Sequence, residues 1–329
     1  MDISQSTTAI SLIVPVYNCE SFIEDCLKSV LSQTIASDIQ YIFINDASTD
    51  NSLAIMQNIA RSNAQLDIHI ISHSTRKGSA FSRNEGINFS KGTYLMFADS
   101  DDWIDCDMAE TLLNAATIHD ADIATCAFYV NTPHKQRSIL FDNNATGINV
   151  ASSAIDVLHF SLCNKLIRRE LIIGNHLFSQ DGIDCWEDLT ITSRALALAH
   201  KNIVINRPLY HYRKSGQTSL TSARQKAILN DRMANAFFIV QWFDAHQQDF
   251  GNMYSDFIIR LKFNAKIKML RGETIEITRW KNTFPEVNDN IAVAAMQFNP
   301  IVRLAFWGLV HCPTSIAIAT ARLLGRNAQ

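Results

Sequence analysis

Tyr94-Leu95-Met96-Phe97-Ala98 runs without a break into Asp99-Ser100-Asp101-Asp102. The apolar run is too short for a helix and holds no breaker, so it reads as one buried strand. Three carboxylates then stand where that strand leaves the sheet. Buried and unpaired they would be costly, and clustering raises their mutual repulsion. A hard divalent cation answers both problems, because Mg2+ or Mn2+ binds one or two carboxylates and completes its shell with water and phosphate oxygens. The plainer reading is an acidic turn capping a helix that begins near Asp107. Placement at a strand's carboxyl end, where open α/β sheets take their ligands, favours the metal.

Upstream of that stretch the chain alternates. Ile10–Val16 is an apolar strand, and Ser21–Gln33 sets Phe22, Cys26, Leu27, Val30 and Leu31 at helical spacing. Strands at Gln40–Asn45 and Ile68–Ser72 alternate with helices at Ser52–Arg61 and Ser79–Phe89. Such alternation predicts βαβ units and an α/β fold with a largely parallel sheet. Downstream, a helix at Asp107–Ile118 and a strand at Ile123–Tyr129 continue it, and Asn131–Asn149 reads as a polar loop or hairpin. Cys163–Phe178 reads as strand and helix, Asp188–Ala199 as an amphipathic helix, and Ile203–Tyr212 as a strand that Pro208 places at an edge or bends. From about Thr221 the pattern turns helical, with Lys226–His246 and Tyr254–Leu270. The expected division is a catalytic domain over 1–220 and a helical region over 221–329 that packs on it or serves acceptor or membrane-surface contact. The tail, Asn299 to Leu324, is apolar around Ile301, Leu304, Phe306, Trp307 and Leu309, with Arg303 and Arg322 flanking. It reads as a docked terminal helix pair or as a membrane-surface helix.

With 329 residues, a sizeable core and at most one appendage or second domain are expected. A net charge of −3 gives no electrostatic footprint for nucleic acid. Seven scattered cysteines without Cys-x-x-Cys spacing argue against a disulfide framework and a zinc site, and for a reducing compartment. Met1 to Thr8 shows no signal-peptide pattern, and no apolar stretch reaches 18 residues. A cytoplasmic protein is expected, with peripheral contact on the inner membrane face as the alternative the tail leaves open. Self-association into a homo-oligomer is likewise left open.

Other strand ends carry chemistry too. Tyr17 follows the first strand and can offer its ring to a flat base, or be an ordinary half-buried tyrosine. Asn45-Asp46-Ala47-Ser48-Thr49-Asp50 follows the second. Asp50 or Ser52 caps the next helix, which leaves Asp46 to accept a hydrogen bond from an imide N–H or a ribose hydroxyl. Gly78 through Gly86 fits neither the dinucleotide nor the P-loop glycine pattern. Arg83 within it can reach a nucleotide laid over the sheet, or pair at the surface with Glu85 or Glu24. Glu187-Asp188 taken alone is as readily an acidic first helical turn as a catalytic pair. The remaining histidines show no ligand spacing.

In their order and spacing these segments resemble the family-2 inverting glycosyltransferases of the GT-A fold, over roughly residues 10 to 220. The resemblance rests on Val14-Pro15-Val16-Tyr17-Asn18, Asn45 to Asp50, Gly78 to Gly86, Phe97 to Asp102, Trp186-Glu187-Asp188, and Tyr210-His211-Tyr212-Arg213 with Ser219. It implies a Rossmann-like, mostly parallel central sheet flanked by helices, with a helical C-terminal extension. It also implies that Pro15 and Tyr17 line the base pocket, Asp46 binds the nucleobase, and Arg83 contacts base or diphosphate. Asp99 would touch ribose or sugar, and Asp101 would hold Mn2+ or Mg2+ on the diphosphate. Asp188 resembles the family's catalytic base, with Glu187 beside it to raise its pKa or point elsewhere. His211 and Arg213 match the segment that closes over the diphosphate, with His211 also a candidate metal ligand. Ala47 stands where glycine is common, so the turn there is expected to avoid positive φ. Lys165 is expected by the acceptor groove, without a role.

The function implied is transfer of a sugar, hexosyl or N-acetylhexosaminyl, from a nucleotide-sugar donor, UDP-linked, to a carbohydrate or lipid-linked saccharide acceptor. Surface polysaccharide, capsule or lipopolysaccharide biosynthesis is the implied setting. One rival is a sugar-nucleotide nucleotidyltransferase, which needs a glycine-rich basic loop that Pro15–Glu20 lacks. The other is a catalytically inactive sugar-binding protein, which would have lost Asp101 or Asp188.

Overall fold

The computed structural model describes residues 8–141, 160–214, 225–251, 253–270, 277–290 and 300–312. Four apolar runs form parallel strands: β1 Ile10–Val16, β2 Ile39–Asn45, β3 Asp67–Ser72 and β4 Tyr94–Phe97. Their order is β3-β2-β1-β4, so β1 and β2 are central, and every residue of β2 is buried. Burial on both faces is why β1, β2 and β4 are near-continuous apolar runs, whereas the edge strand β3 is half-exposed and carries Asp67, His69 and Ser72.

The crossovers are α1 Ile23–Leu31, α2 Ser52–Ser62 and α3 Ser79–Phe89. On α1 the residues Ile23, Cys26, Leu27, Val30 and Leu31 are buried, the predicted stripe. Before α2 the N-cap residue is Asn51, without a side-chain cap, rather than the expected Asp50 or Ser52. Asp50 Oδ1 instead accepts from Ser52 N at 3.0 Å and tightens the turn into the helix. Helix α3 lies so close to the sheet that a Cβ on Gly86 would sit 2.5 Å from Ile13 Cγ2. Glycine is required there to keep α3, and therefore Arg83, against the strand ends.

Beyond β4 the sheet becomes mixed. Strand β8 (Lys165–Arg168) is antiparallel to β4, and β6 (Ile123–Thr132) is antiparallel to β8. Strand β9 (Asn202–Arg213) runs parallel to β6. Strand β7 (Lys135–Ile139) turns back on β6, making the expected hairpin, whose stretch from 142 on lies outside the described residues. Strand β5 (Trp103–Ile104) pairs with His211 and Tyr210 of β9 and was not foreseen. Pro208 does sit at an irregularity. Ile205 pairs with Cys126 and Tyr210 with Phe128, so β9 carries three more residues than β6 across that interval. The α/β class therefore holds, with helices α4 Met108–His119, α5 Arg169–Gly174 and α6 Glu187–Leu198 completing the unit. The last was expected to be amphipathic. Instead every residue from Leu189 to Leu196 is buried, so α6 is enclosed all round.

The described residues from 225 onward form a second, helical unit. It comprises α7 Gln225–Ala245, α8 Gln247–Phe250, α9 Ser255–Lys268, α10 Ile277–Asn282, α11 Glu286–Asp289 and α12 Pro300–His311. Its core includes Phe243, Tyr254 and Phe257, with Phe263 edge-on to Phe306. Lys266 is buried there, donating to Asn288 Oδ1 at 2.8 Å beneath the Trp280 ring. In α12, Phe306 and Leu309 are buried while Leu304 and Trp307 are exposed. The rest of the tail lies outside the described residues, and no helix among them is long and apolar enough to cross a membrane.

Candidate active site

The acidic run after β4 separates into three environments. Asp102 is fully buried: its Oδ2 accepts from Tyr210 OH at 2.5 Å and its Oδ1 from Arg213 N at 2.6 Å. Burial, then the Asp99 and Asp101 charges, push its carboxyl up. It fastens the end of β9 to the β4 turn and is a structural acid. Asp99 is half-exposed, with Oδ1 held by Arg83 Nη2 at 2.7 Å and its N–H donated to Tyr210 OH. Asp101 keeps an exposed edge. Desolvation by the surrounding chain, then the Asp99 charge, push its carboxyl up to about 6.

Arg83 is the hub of the site. It is 4% exposed, on α3, and pairs with neither Glu85 nor Glu24. Its Nη1 donates to Glu187 Oε1 at 2.6 Å, its Nη2 to Asp99, and its Nε stands 3.6 Å from Asp188 Oδ1. One guanidinium thus faces three carboxylates. Glu187 Oε1 also accepts from Ser79 Oγ at 2.9 Å, and Asp188 Oδ2 accepts from Leu162 N. Burial pushes Glu187 up to about 8 against the opposing pull of Arg83. Burial likewise raises Asp188, whose Oδ1 is buried and makes no hydrogen bond among the described residues.

The residue before this pair is strained. Trp186 takes a left-handed backbone, φ +71° and ψ +21°, before α6 begins. A bulky side chain in that region costs about 1–3 kcal/mol, and such residues gather at functional sites. In the preceding loop, Asp184 Oδ1 accepts from Ala80 N, and a Cβ on Gly78 would sit 2.3 Å from that oxygen. Gly78 itself has φ +96° and donates its N–H to Asp46 Oδ2 at 2.8 Å. Glycine is therefore dictated there by both conformation and space.

Asp46 lies at the end of β2, 3% exposed, and its oxygens are already engaged. Oδ1 accepts from Lys77 N at 2.7 Å and meets His73 Nδ1 at 2.7 Å. Tyr17 and Pro15 are half-buried at the end of β1, and the Arg76 guanidinium lies 4.1 Å over the Tyr17 ring. Ala47 departs from expectation. Its φ is +57°, so the turn does not avoid the left-handed region despite lacking glycine. The tight link between β2 and the 46–50 segment, with Ser48 N on Asn45 Oδ1, holds it there.

His211 and Arg213 are built into the floor. The His211 ring stacks between Trp103 (4.9 Å) and Tyr129 (4.7 Å), with Nε2 3.0 Å from Asp105 Oδ1 and Nδ1 3.4 Å from Asn131 Nδ2. Both ring nitrogens have partners, so a metal bound at His211 would have to replace one of these contacts. The Arg213 guanidinium lies over Trp103 and Phe22, with Nε on the Asp101 carbonyl and Nη2 3.2 Å from Asp25 Oδ2. Among the described residues no three histidine, cysteine or carboxylate side chains converge as a preformed cation cage. The donor chemistry nonetheless fits Mg2+ or Mn2+. Asp101 is a hard oxygen ligand crowded by other carboxylates, and these ions take one or two such ligands plus phosphate oxygens and water.

Sequence therefore named Asp99, Asp101, Arg83, Glu187 and Asp188, and the structure brings Arg83, Asp99, Glu187 and Asp188 into direct contact. It did not name Ser79, Asp184 or His73 as participants. His73 lacks ligand spacing in the sequence, and only its position one residue after β3 marks it. Lys165 is fully buried on β8, with Nζ on Ser161 O and Asn164 Oδ1, and burial lowers it to about 8.

A family model described as Glycosyl transferase family 2 matches residues 11–174. EpsJ, an uncharacterized glycosyltransferase of Bacillus subtilis (strain 168), is 30% identical over 236 residues, covering 69% of this chain and 67% of EpsJ. EpsH of the same strain is 31% identical over 246 residues, 71% and 70% of the two chains. Among solved structures, S. aureus TarS 1-349 in complex with UDP-GlcNAc aligns with a TM-score of 0.70 at 18% identity, over 97% of this chain and 91% of that one. That likeness bears on the fold, which is GT-A.

Proposed function

Since the chain belongs to glycosyl transferase family 2, we propose that this glycosyltransferase moves a sugar from a UDP-linked donor to a saccharide acceptor with inversion. The acceptor is a carbohydrate or lipid-linked saccharide of surface polysaccharide, capsule or lipopolysaccharide biosynthesis. The observation that carries this reading is the Arg83 hub. It ties Asp99, on the expected donor side, to Glu187 and Asp188, on the expected acceptor side, within hydrogen-bond or ion-pair distance.

In this reading Asp188 accepts the proton of the acceptor hydroxyl as its oxygen attacks the anomeric carbon. The bond to the diphosphate breaks on the opposite side, and configuration inverts. Burial favours this role, because a carboxylate lifted above its ordinary range is a stronger base near neutral pH. Glu187, lifted by burial to about 8, keeps its proton at neutral pH and limits the charge gathered around Arg83. Asp46 and Tyr17 receive the nucleobase, Pro15 lines the same pocket, Asp99 meets ribose or sugar, and Arg213 stands at the diphosphate. Asp101 would hold Mg2+ or Mn2+, which when bound supplies positive charge for the departing diphosphate.

The test is Asp188→Asn. UDP binding by calorimetry should stay within about twofold of wild type, while turnover falls by about 100-fold or more, the usual loss on removing a general base. Normal turnover would refute the base assignment.

A further inference from the structure

We propose that His73 and Glu85 are positioning residues for donor binding, acting through Asp46. This rests on the reading that Asp46 meets the donor nucleobase, and the experiment below separates the two. The His73 side chain is 3% exposed and spans two carboxylates, Asp46 Oδ1 at 2.7 Å from Nδ1 and Glu85 Oε2 at 2.6 Å from Nε2. The ring thus bridges the two carboxylates, one through each nitrogen. The ring also meets Phe81 edge-on at 5.5 Å, so its plane is fixed by packing as well as by hydrogen bonds.

The consequence falls on Asp46. His73 and the Lys77 N–H together occupy Oδ1, whereas Oδ2 has the Gly78 N–H as its one donor among the described residues. A carboxylate oxygen accepts two hydrogen bonds, so Oδ2 is the atom with room for an incoming N–H or O–H. His73 thereby sets which oxygen of Asp46 is presented, and Glu85 on α3 holds His73 in place. The same three contacts seat the 73–78 segment over the end of β2. That segment carries Arg76, whose guanidinium covers Tyr17.

The experiment is calorimetric binding of UDP, GDP, CDP and ADP to the whole chain, followed with the tightest binder, plus steady-state kinetics and melting curves. His73→Phe should weaken that nucleotide about tenfold, as loss of one hydrogen bond to a charged group predicts, and raise the donor KM with kcat within about twofold. His73→Gln, which can still donate to Asp46, should recover part of the loss. In an Asp46→Asn background His73→Phe should add nothing, because it acts through Asp46. Glu85 is one-third exposed, so Glu85→Gln keeps the fold if His73→Phe does not, and should weaken binding about threefold through a charged-contact loss of that scale. Wild-type binding in His73→Phe or Glu85→Gln, with Asp46→Asn weakened, overturns the positioning role alone. Additive losses in the double variant overturn it as well. Normal binding in Asp46→Asn overturns the nucleobase assignment and the positioning role with it.

Discussion

Arg83 Nη1 donates to Glu187 Oε1 across 2.6 Å, joining residues 104 apart in sequence, one on α3 and one opening α6. The pair is only 5% and 12% exposed at its side chains, so water competes little for this contact.

Arg83→Met should leave Asp99, Glu187 and Asp188 without their shared cation. Breaking a buried ion pair from one side costs about 3–5 kcal/mol. Urea denaturation should show a loss of that order, and turnover should fall with it even where the protein remains folded at 25 °C.

Glu187 imposes a pH dependence on stability. Its folded value, about 8, lies above the ordinary 4.5, so the folded state holds a proton that the unfolded chain has released between those values. Stability from this group is therefore full below about 4.5 and is lost as pH rises toward about 8. Melting temperature measured from pH 5 to pH 8 should fall through this range in wild type and fall less in Glu187→Gln.

Asp101 and Asp102 should behave oppositely. Asp101→Ala removes a carboxylate that desolvation and the Asp99 charge disfavour, so it should leave the fold at least as stable as wild type at neutral pH, yet remove Mn2+-dependent UDP binding and transfer. Asp102→Ala strands the Tyr210 hydroxyl and the Arg213 N–H, at about 1–3 kcal/mol for each unsatisfied group. Paired calorimetry and denaturation on the two variants would distinguish the roles.

Ala47→Gly should stabilise the protein. An alanine at φ +57° bears left-handed strain of about 1–2 kcal/mol, and the entropy glycine adds to the unfolded chain offsets only part of its relief. A net gain of about 1 kcal/mol is expected in the denaturation midpoint. Ala116→Gly, inside α4, should instead lose about 1 kcal/mol.

The alternating half of the fold was legible because β1 to β4 and their helices announce themselves in local periodicity, and the edges fall within about two residues of expectation, the usual scatter of such boundaries. Strand β5 was not legible. Two residues carry no period, and Trp103–Ile104 becomes a strand only because β9 lies alongside. The site divides in the same way. Asp99, Asp101, Glu187 and Asp188 stand at strand or helix ends, where chemistry is expected. Arg83's partners, and the His73 link from Asp46 to Glu85, depend on contacts across 12 to 104 residues that no local pattern encodes. Ala47 was misjudged for a related reason: composition alone pointed away from a conformation that the surrounding hydrogen bonds impose.

The irregularity at Pro208 fixes the phase of everything after it. Side chains alternate along a strand, and three surplus residues, an odd number, exchange the two faces. Tyr210 therefore shares a face with Ile205, a place that an uninterrupted strand would give to His211. Losing or gaining one residue near Arg207 would invert that frame. With one residue lost, the His211 imidazole would stand where the Tyr210 hydroxyl meets Asp102, and Tyr212 would enter between Trp103 and Tyr129. This segment should tolerate changes in the identity of Asn206 or Arg207 far better than a change in their number, so homologous chains should vary here by replacement and hold their length.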